Sequence, residues 1–256
     1  MKTFAINLKR EPKKLSNITK ECLKNELDVE IIDAVDGKLL SEEYLKEHVY
    51  NYPDCKLTRG EIGCSLSHIK IYKRMLADNI PIALILEDDA HFVSLPNSIL
   101  SKIVGLTPKD SKNVYLLSGC LGSYFPNKKL QFGPYTFYKS YESFLAHGYV
   151  ITLNAAKNLL KFQEQLKFEA DKWYAFELFD CVETYCLIPL LIDTNDKTKE
   201  FSTLERDRGI NLKNNDRYNQ MRKIYNSNLN SFLKRKLLKL NVKLNKIKNR
   251  RDGLDI

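Results

Sequence analysis

The chain has 256 residues and a formal net charge of +9 at pH 7. Its 43% hydrophobic and 29% charged residues, with ten Gly and eight Pro, exclude a disordered, collagen-like or low-complexity protein. This length is enough for one large α/β domain with a full core. No apolar run approaches the ~18 residues of a membrane-spanning helix.

Targeting signals and cysteines give the expected compartment. The apolar run from Phe4 to Leu8 is too short for the core of a signal peptide, and lysines flank it closely. We therefore expect a cytoplasmic protein. The six cysteines are scattered and form no CxxC motif, which favours reduced, mostly structural thiols.

The N-terminal segments predict a strand–helix–strand unit. The run Thr3–Leu8 indicates a buried strand, a helix begins at Pro12, and a second strand covers Val29–Ile32. Asn7 and Arg10 follow the first strand at its carboxyl end, a position suited to a nucleotide, although ordinary loop polarity explains them equally well. No GxGxxG motif is present, so a dinucleotide fingerprint is absent.

A helix with small residues in its first turns follows. Thr58 and Glu61 have the spacing of a capping box, and an apolar stripe continues to about residue 79. The small residues indicate either tight packing on a sheet or a helix start that lines a donor pocket. His68, taken alone, is more typical of a core or rim histidine than of a catalytic group. The small residues are Gly60, Gly63, Cys64, Ser65 and Ser67.

The most informative stretch is Ile82–Ala90, IALILEDDA. Its apolar run predicts a strand buried on both faces, and the carboxylates of Glu87, Asp88 and Asp89 at its end are too costly to bury uncompensated. Ligands of open α/β sheets bind at the carboxyl ends of strands. We therefore expect a metal-and-phosphate site at the tip of this strand.

The rest of the body predicts a series of helices and strands. A loop or hairpin covers Phe125–Tyr138, and its aromatic residues either stack on sugar or pack as an ordinary loop. The other predicted elements are a helix at Asn97–Val104, strands at Asn113–Ser118 and Ala146–Leu153, a helix at Asn154–Leu166, a helix at Asp171–Asp180 capped by Asp171, and an edge strand at Tyr185–Ile192 around Pro189.

Several of these residues suit divalent-metal chemistry. Glu87 and Asp89 project to the same side of a strand and supply hard oxygen ligands for Mn²⁺ or Mg²⁺, and His147 adds an imidazole that Mn²⁺ accepts more readily. Asp171 is either a general base or a plain helix cap. Phosphatases, nucleases and kinases use similar acidic clusters, but the Walker lysine loop is missing.

The C-terminal residues differ sharply in charge from the body. Residues 211–256 hold 13 Lys+Arg against 3 Asp+Glu, or +10, whereas residues 1–210 hold 28 against 29, or −1. Leucines at 233, 237, 240 and 244, with Ile247, form the stripe of a basic amphipathic helix. This helix either docks on the body or binds an anionic lipid surface through residues 231–251. No nucleic-acid-binding motif is present, so no nucleic acid partner is expected.

Six segments together resemble glycosyltransferase family 25, the lipopolysaccharide and lipooligosaccharide sugar transferases. They occur in the family's order over roughly residues 3–205, and the pair GEIGCSLSH and LEDDA is the most specific of them. The segments are FAINLKRE, IIDAVDGKLL, LTRGEIGCSLSHIKIYKRML, LILEDDA, HGYVITLNAAKNLL and DKWYAFELFD.

The resemblance implies a GT-A-like α/β fold with a mixed, mostly parallel central sheet. It also implies a UDP-galactose or UDP-glucose donor and a β-linked product on a lipooligosaccharide core. By position, Glu87, Asp88 and Asp89 form a DXD-type motif that binds metal and donor, with His147 near the metal. Asn7 and Arg10 lie near the nucleotide, Glu61, Ser65 and His68 belong to the family's signature helix as substrate-binding residues, and Asp171 is the base, with Asp180 and Glu177 as fallback carboxylates.

Together these observations predict a catalytic domain at 1–210 and a basic helical tail at 211–256. We expect a metal-dependent, inverting UDP-hexose transferase that is peripheral on the cytoplasmic face of the inner membrane and acts on lipooligosaccharide. Two alternatives stay open: another divalent-metal enzyme of phosphoester or phosphotransfer chemistry, and a non-catalytic basic membrane-binding protein.

Overall fold

The computed structural model describes residues 1–95, 97–119, 122–133, 135–194, 214–244 and 248–250. These residues form a nine-stranded sheet, a two-stranded sheet and eight α-helices. In chain order the elements are β1 (Lys2–Asn7), α1 (Pro12–Lys24), β2 (Val29–Asp33), a 3₁₀ turn (Gly37–Leu39), α2 (Glu42–His48), α3 (Arg59–Ala77), β3 (Ile82–Glu87), β4 (Ala90–Phe92), α4 (Asn97–Leu106), β5 (Asn113–Leu116), β6 (Gly122–Phe132), β7 (Tyr135–Tyr141), β8 (Gly148–Thr152), α5 (Leu153–Phe162), α6 (Trp173–Leu178), β9 (Glu183–Leu187), β10 (Ile192–Thr194), α7 (Asn214–Asn226), α8 (Leu229–Leu244) and β11 (Lys248–Arg250).

The large sheet is mixed, with strand order β11-β6-β7-β9-β5-β8-β3-β1-β2. Parallel pairs join β1 to β2, β1 to β3 and β5 to β9, and the remaining neighbours are antiparallel. Strands β1, β2, β3, β5, β6 and β9 therefore run in one direction, and β7, β8 and β11 run in the other. This arrangement confirms the predicted α/β fold with a mixed central sheet, in which six of the nine strands run in one direction although five of the eight neighbouring pairs are antiparallel.

Helices cover both faces of this sheet, and β3 is buried between them. Ala83 and Ile85 pack into the same cluster as Tyr72 of α3 and Trp173 of α6. The alternate residues Leu84 and Leu86 pack with α1 and α4 on the other face. Residues 82–86 are all buried, as the continuous apolar run predicted.

The start of α3 is fixed by its cap and by close backbone contact. The Thr58 side chain accepts a hydrogen bond from the Glu61 backbone, and the Glu61 carboxylate accepts one from the Thr58 N–H, which confirms the capping box. A Cβ added to Gly63 would lie 2.5 Å from the Val35 carbonyl oxygen and 2.6 Å from the Gly37 nitrogen. Glycine at 63 therefore lets α3 approach the loop after β2.

Two predicted elements near the C-terminal end of the body were wrong. Helix α6 begins at Trp173, and its N-cap is Lys172 without a side-chain cap bond, so Asp171 is not the cap. The last predicted strand ends before Pro189 and lies inside the sheet, between β7 and β5, instead of at an edge. The aromatic segment Phe125–Tyr138 belongs to the β6–β7 hairpin, which joins the sheet next to β9.

The tail helices contact the body through part of their surface. Arg217 of α7 pairs with Glu169 at 2.7 Å and donates to the Cys55 carbonyl, and Tyr225 is buried. Helix α8 packs Ser231 and Leu238 toward the body. The predicted boundary at 210 lies outside the described residues. Across the described part of the chain, no helix combines the length and hydrophobicity needed to cross a bilayer.

Candidate active site

The predicted site residues meet where β3 ends and β8 begins. Because β8 is antiparallel to β3, the first residues of β8 lie beside the last residues of β3. Leu86 pairs with Gly148, and the Glu87 N–H donates to the His147 carbonyl oxygen at 2.9 Å. Two segments 60 residues apart in sequence therefore place a carboxylate and an imidazole side by side.

Glu87, Asp89 and His147 form the centre of this cluster. The Nδ1 atom of His147 lies 3.4 Å from Glu87 Oε2 and 3.5 Å from Asp89 Oδ1. Thr194 of β10 donates its hydroxyl to Asp89 Oδ2 at 3.0 Å, and β10 pairs with β4 immediately after Asp89. The second small sheet therefore orients this carboxylate.

The charges of the cluster are strongly coupled. Burial opposes the ionised form of Glu87, but the imidazoles of His147 and His68 outweigh it and hold the pKa of Glu87 well below its ordinary range. Burial opposes protonation of His147, but Asp89 and Glu87 raise its pKa to about 10. With no metal bound, His147 is therefore a cation between two carboxylates at neutral pH.

The polar atoms that face one another here fit a divalent cation. Asp89 Oδ1 and His147 Nδ1 are both buried, and neither has a hydrogen-bond partner among the described residues. The two atoms face each other only as a 3.5 Å ion pair, and a divalent cation bound by both would replace the proton that His147 holds there. One ligand atom each from Glu87, Asp89 and His147 lies within 4.8 Å of the others. Two carboxylates and one imidazole are donors that Mn²⁺ accepts.

A pocket of about 810 Å³, counting its open mouth, extends from this cluster. Acidic and basic side chains from β3, α1 and the loops after β1 and β2 line it together, so it suits a ligand that carries both phosphate and metal. The charged residues are Arg10, Lys14, Asp36, Lys38, Glu87, Asp88 and Asp89.

Asp88 points to the basic side of this pocket. Lys14 of α1 lies 3.4 Å from Asp88 Oδ1. Burial raises the pKa of Asp88 to about 6, Asp89 and Glu87 add to this effect, and Lys14 opposes it. Glu87 and Asp89 share His147 whereas Asp88 faces Lys14, although β3 ends at Glu87 and all three acids line the pocket.

Helix α3 contributes one face to the pocket wall. The pocket-lining residues of this helix lie on one side of it, at intervals of about one and two turns. They are Gly60, Cys64, Ser67 and His68. His68 Nε2 lies 3.3 Å from Glu87 Oε1, and its Nδ1 lies 2.8 Å from the Tyr149 hydroxyl. His68 is thus a buried histidine, as one of the two readings of the sequence had it, and it also contacts a residue of the candidate site, Glu87.

Two residues predicted to bind substrate on the same helix are directed elsewhere. Glu61 closes the capping box, and the Ser65 hydroxyl donates to the Glu61 carbonyl oxygen at 2.8 Å. Among the described residues, they are not part of the pocket lining.

The fallback carboxylates lie at the opposite end of the strands, where β9 begins. Asp180 is largely exposed and pairs with Lys112 at 2.6 Å and Lys234 at 3.0 Å. Glu177 accepts hydrogen bonds from the Thr184 N–H at 2.6 Å and from Lys139 at 2.8 Å. The prediction of a catalytic Asp180 is therefore corrected, because β9 runs parallel to β3 and its start cannot reach the tip of β3.

Asn7, Arg10 and Asp171 lie on the correct side of the molecule. Asn7 ends β1, and its buried Oδ1 lacks a hydrogen-bond partner within the described residues, whereas Arg10 lines the pocket and pairs with Asp36. Burial raises the pKa of the Cys64 thiol, and Glu87, Asp171 and Asp89 raise it further. Asp171 therefore lies close to the acidic cluster, although it is not a helix cap.

Of three site residues outside the predicted ligand sets, Lys14 and Thr194 were missed from the sequence, and Cys64 was predicted only as a candidate wall residue of a donor pocket. Lys14 reaches Asp88 across 74 residues of sequence, and Thr194 reaches Asp89 across 105. Only Cys64 had a local signal, because it precedes His68 by one helical turn within the GEIGCSLSH segment. Long-range pairing brought the other two into the site, and no local pattern contains that information.

Comparison with known proteins adds the family. The sequence profile of glycosyltransferase family 25, described as an LPS biosynthesis protein family, matches residues 1–174. The chain belongs to glycosyltransferase family 25. The matched region contains the whole β3–β8 cluster and Asp171, and it excludes Asp180.

Relatives within the family have different names. A "Glycosyltransferase 25 family member" of Aedes aegypti is 32% identical over 173 residues, which is 62% of this chain and 27% of the relative. "Procollagen galactosyltransferase 2" of Mus musculus is 38% identical over 97 residues, 35% of this chain and 16% of the relative. An "Inactive glycosyltransferase 25 family member 3" of Mus musculus is 31% identical over 97 residues, with the same two coverages.

The chain spans less than a third of the length of these relatives. A family that contains both galactosyltransferases and a member named inactive does not by itself decide whether one chain is catalytic. Catalysis therefore has to be argued from the side chains at the tip of β3.

Proposed function

We propose that this family 25 glycosyltransferase is an active, metal-dependent enzyme that moves a hexose from a UDP-sugar to a hydroxyl group of a lipooligosaccharide core, with inversion at the anomeric carbon. The observation that carries the proposal is the convergence of Glu87, Asp89 and His147, each of which offers one ligand atom within 4.8 Å of the others. Asp89 Oδ1 and His147 Nδ1 meet there only as a 3.5 Å ion pair, which a bound cation would replace.

Glu87, Asp89 and His147 would hold the divalent cation, Mn²⁺ or Mg²⁺. When bound, such a cation neutralises the charge that gathers on a departing nucleoside diphosphate. Lys14 and Arg10, both in the pocket lining, bind the phosphates from the opposite side. Asn7 offers its unmet Oδ1 to a donor group near the carboxyl end of β1.

Asp171 is the proposed general base. Its carboxylate takes the proton of the acceptor hydroxyl while the acceptor oxygen bonds to the anomeric carbon. The bond from that carbon to the diphosphate oxygen breaks, and its electron pair stays on the diphosphate. A single displacement of this kind inverts the anomeric centre. Asp171 suits the role because it lies near Cys64 in the pocket wall and does not cap α6.

The names of the relatives support the choice of sugar and acceptor. Galactosyltransferases among them favour a hexose such as galactose, with glucose as the close alternative. The family description as an LPS biosynthesis protein favours a lipooligosaccharide acceptor. The procollagen acceptor named for the mouse relative makes a protein hydroxyl the competing acceptor class.

The test is a screen of UDP-sugars with the purified full chain and Mn²⁺, following release of UDP and the mass of a lipooligosaccharide acceptor. We expect turnover with UDP-galactose or UDP-glucose, a gain of one hexose, and loss of turnover with a chelator. No release of UDP from any UDP-sugar, or release that is indifferent to the chelator, would count against the proposal. Cleavage of a simple phosphoester would favour the phosphotransfer alternative.

An anionic, lipid-anchored acceptor also gives the tail a role. Helix α8 faces the body with Ser231 and Leu238, whereas Leu233, Leu237 and Leu240 of its aliphatic stripe are 47%, 66% and 54% exposed. The exposed Lys236 and Lys239 lie beside this stripe. Leucines bordered by lysines suit the interface of an anionic leaflet, so we propose peripheral attachment to the cytoplasmic face of the inner membrane through residues 231–251.

Vesicle binding tests the attachment. We expect the triple variant Leu233→Ser, Leu237→Ser and Leu240→Ser to lose binding to phosphatidylglycerol vesicles and to keep its activity on a soluble acceptor. Leu39→Ser is the matched control, because Leu39 is also exposed, at 83%, but lies on the body. Equal vesicle binding by the triple variant and the control would refute attachment through α8.

A further inference from the structure

We propose that Cys64, His68 and Glu87 form a second metal site, selective for Zn²⁺, in the wall of the same pocket. One ligand atom from each residue, Sγ, an imidazole nitrogen and a carboxylate oxygen, lies within 4.8 Å of the others. All three residues line the pocket, so the site is open to a small ion. It shares Glu87 with the proposed Glu87–Asp89–His147 site and otherwise differs from it in every ligand.

The spacing of the ligand atoms matches tetrahedral zinc. A tetrahedron with Zn–N and Zn–O distances of about 2.0–2.2 Å and a Zn–S distance of about 2.3 Å separates its ligand atoms by roughly 3.3–3.6 Å. His68 Nε2 lies 3.3 Å from Glu87 Oε1, and Cys64 Sγ lies 3.8 Å from the same oxygen. Only a small movement of the thiol side chain is needed to close the site.

The chemistry of the ligands separates the two sites. A thiolate and an imidazole are the donors that zinc prefers, whereas the site with two carboxylates and one imidazole suits Mn²⁺ or Mg²⁺. Cys64 and His68 are four residues apart on α3, which places both side chains on the same face of the helix. When zinc binds, the Cys64 thiol releases its proton to solvent, and the Cys64 sulfur becomes the ligand.

A second layer of residues already orients His68 for this role. Its Nδ1 lies 2.8 Å from the Tyr149 hydroxyl, which in turn lies 2.8 Å from the Tyr72 hydroxyl. Histidines that bind metal commonly donate their other ring N–H to a fixed partner. In the tautomer in which Nδ1–H donates to Tyr149, the Nε2 lone pair faces Glu87 Oε1, so a cation bound there would be held by both atoms.

Three protein ligands leave one tetrahedral position open toward the pocket, which is the arrangement of an accessible zinc site. The two sites face different oxygens of Glu87, Oε1 toward Cys64 and His68 and Oε2 toward His147, so this carboxylate can bridge a zinc ion and the proposed Mn²⁺. On the proposed function, the zinc ion therefore lies beside the activating metal. The binding site itself stands independently of that function.

Cobalt titration of the full chain tests the site without any assay of activity. Co²⁺ replaces zinc and gives a thiolate-to-cobalt charge-transfer absorption in the near ultraviolet only when a cysteine sulfur is a ligand. We expect this band in the wild type, its loss on addition of equimolar Zn²⁺, and its absence in Cys64→Ser. Tyr149→Phe should keep the band and bind roughly 10- to 100-fold more weakly, because only the orientation of His68 is affected.

Two variants serve as controls, and circular dichroism checks that each is folded. Cys55→Ala removes a buried cysteine elsewhere, and Asp89→Asn alters the proposed Mn²⁺ site alone, so both should keep the band. No band in the wild type, or a band that survives Cys64→Ser, would overturn the zinc site. A band without sugar transfer would sink the proposed function alone, and transfer without a band would sink the zinc site alone.

Discussion

Carboxylates lie at both ends of the strands in the large sheet, but their roles differ between the two ends. Where β3 ends, Glu87 and Asp89 face His147 through ion pairs of 3.4 and 3.5 Å, and among the described residues Asp89 Oδ1 and His147 Nδ1 have no closer polar partner. Where β9 begins, Asp180 pairs with two lysines, and Glu177 is hydrogen-bonded by a lysine and a backbone N–H.

This contrast shows which property of an acidic residue indicates a functional site. Acidic residues are common at both ends, so their presence alone decides nothing. Where β9 begins, each carboxylate has its partners within the protein, and its role is structural. Where β3 ends, two carboxylates and a protonated imidazole converge on one point through ion pairs of 3.4 and 3.5 Å, and a bound cation can replace the proton that holds them together.

The largest expected difference between the two ends is in transfer activity. We expect Asp89→Ala to abolish metal-dependent sugar transfer, because it removes one of the proposed ligands, and to leave the far-ultraviolet circular dichroism unchanged. Asp180→Asn is the matched control, because it removes only exposed ion pairs to Lys112 and Lys234, each worth less than about 1 kcal/mol, and asparagine tolerates the backbone φ of 62° at this position. Comparable turnover by the two variants would remove the functional distinction between the ends.

The next effect concerns Asp171, which lies between His147 and Asp180 in the sequence and near the acidic cluster at the end of β3 in space. We expect Asp171→Asn to lower kcat by about 10²- to 10⁴-fold, because a positioned general base contributes on that order. Titration of Mn²⁺ binding should give the same affinity as the wild type, since Asp171 is not a proposed ligand. A variant that loses metal affinity instead of kcat would reassign Asp171 to the metal site.

The pH dependence of metal binding sharpens the electrostatic side of the comparison. Asp89 and Glu87 raise the pKa of His147 to about 10, so the metal-free protein holds this proton below that pH. Binding at Nδ1 must displace it, and Mn²⁺ affinity should therefore rise about tenfold per pH unit between pH 6 and 8. Calorimetry in buffers of different ionisation enthalpy should count one proton released. His147→Gln should bind weakly and without this slope.

The smallest effect is expected where β9 begins. Glu177→Ala leaves the buried Thr184 N–H without its acceptor, which should lower the free energy of unfolding by about 1–3 kcal/mol in a urea titration. Transfer activity measured well below the unfolding transition should stay near the wild-type value. Glu177→Gln keeps an acceptor oxygen and should cost less. A loss of activity in the still folded Glu177→Ala protein would contradict a structural role.

Much of the local architecture could be predicted from the sequence. The apolar run before Glu87 is long enough and branched enough to require a strand covered on both faces, and β3 has that burial. The spacing of Thr58 and Glu61 was sufficient to predict a capped helix, because the two hydrogen bonds involve residues three apart. Features of this kind depend on neighbours in sequence, and the pattern contains them.

Other features depend on contacts that the sequence does not encode locally. Asp171 is a residue type that commonly caps helices. The helix nevertheless begins two residues later, at Trp173, whose buried indole N–H donates to the Leu145 carbonyl oxygen. Pro189 suggested an edge strand, yet the chain ends β9 before the proline and places that strand between two others. Tertiary packing overrode a local preference in both cases.

The hydrogen bond from the Glu87 N–H to the His147 carbonyl oxygen means that the spacing of the proposed ligands is a property of strand register. A slip of one residue would bring Ala146 or Gly148 beside Glu87 and turn the imidazole to the other face of the sheet. Gly148 protects that register, because a Cβ there would lie 2.5 Å from Ile192 Cδ1. Transplanting the LEDDA segment alone into another protein would carry over the acids without their histidine. A transplant that keeps the histidine beside the acids would need both β3 and β8, with the hydrogen bonds between the two strands.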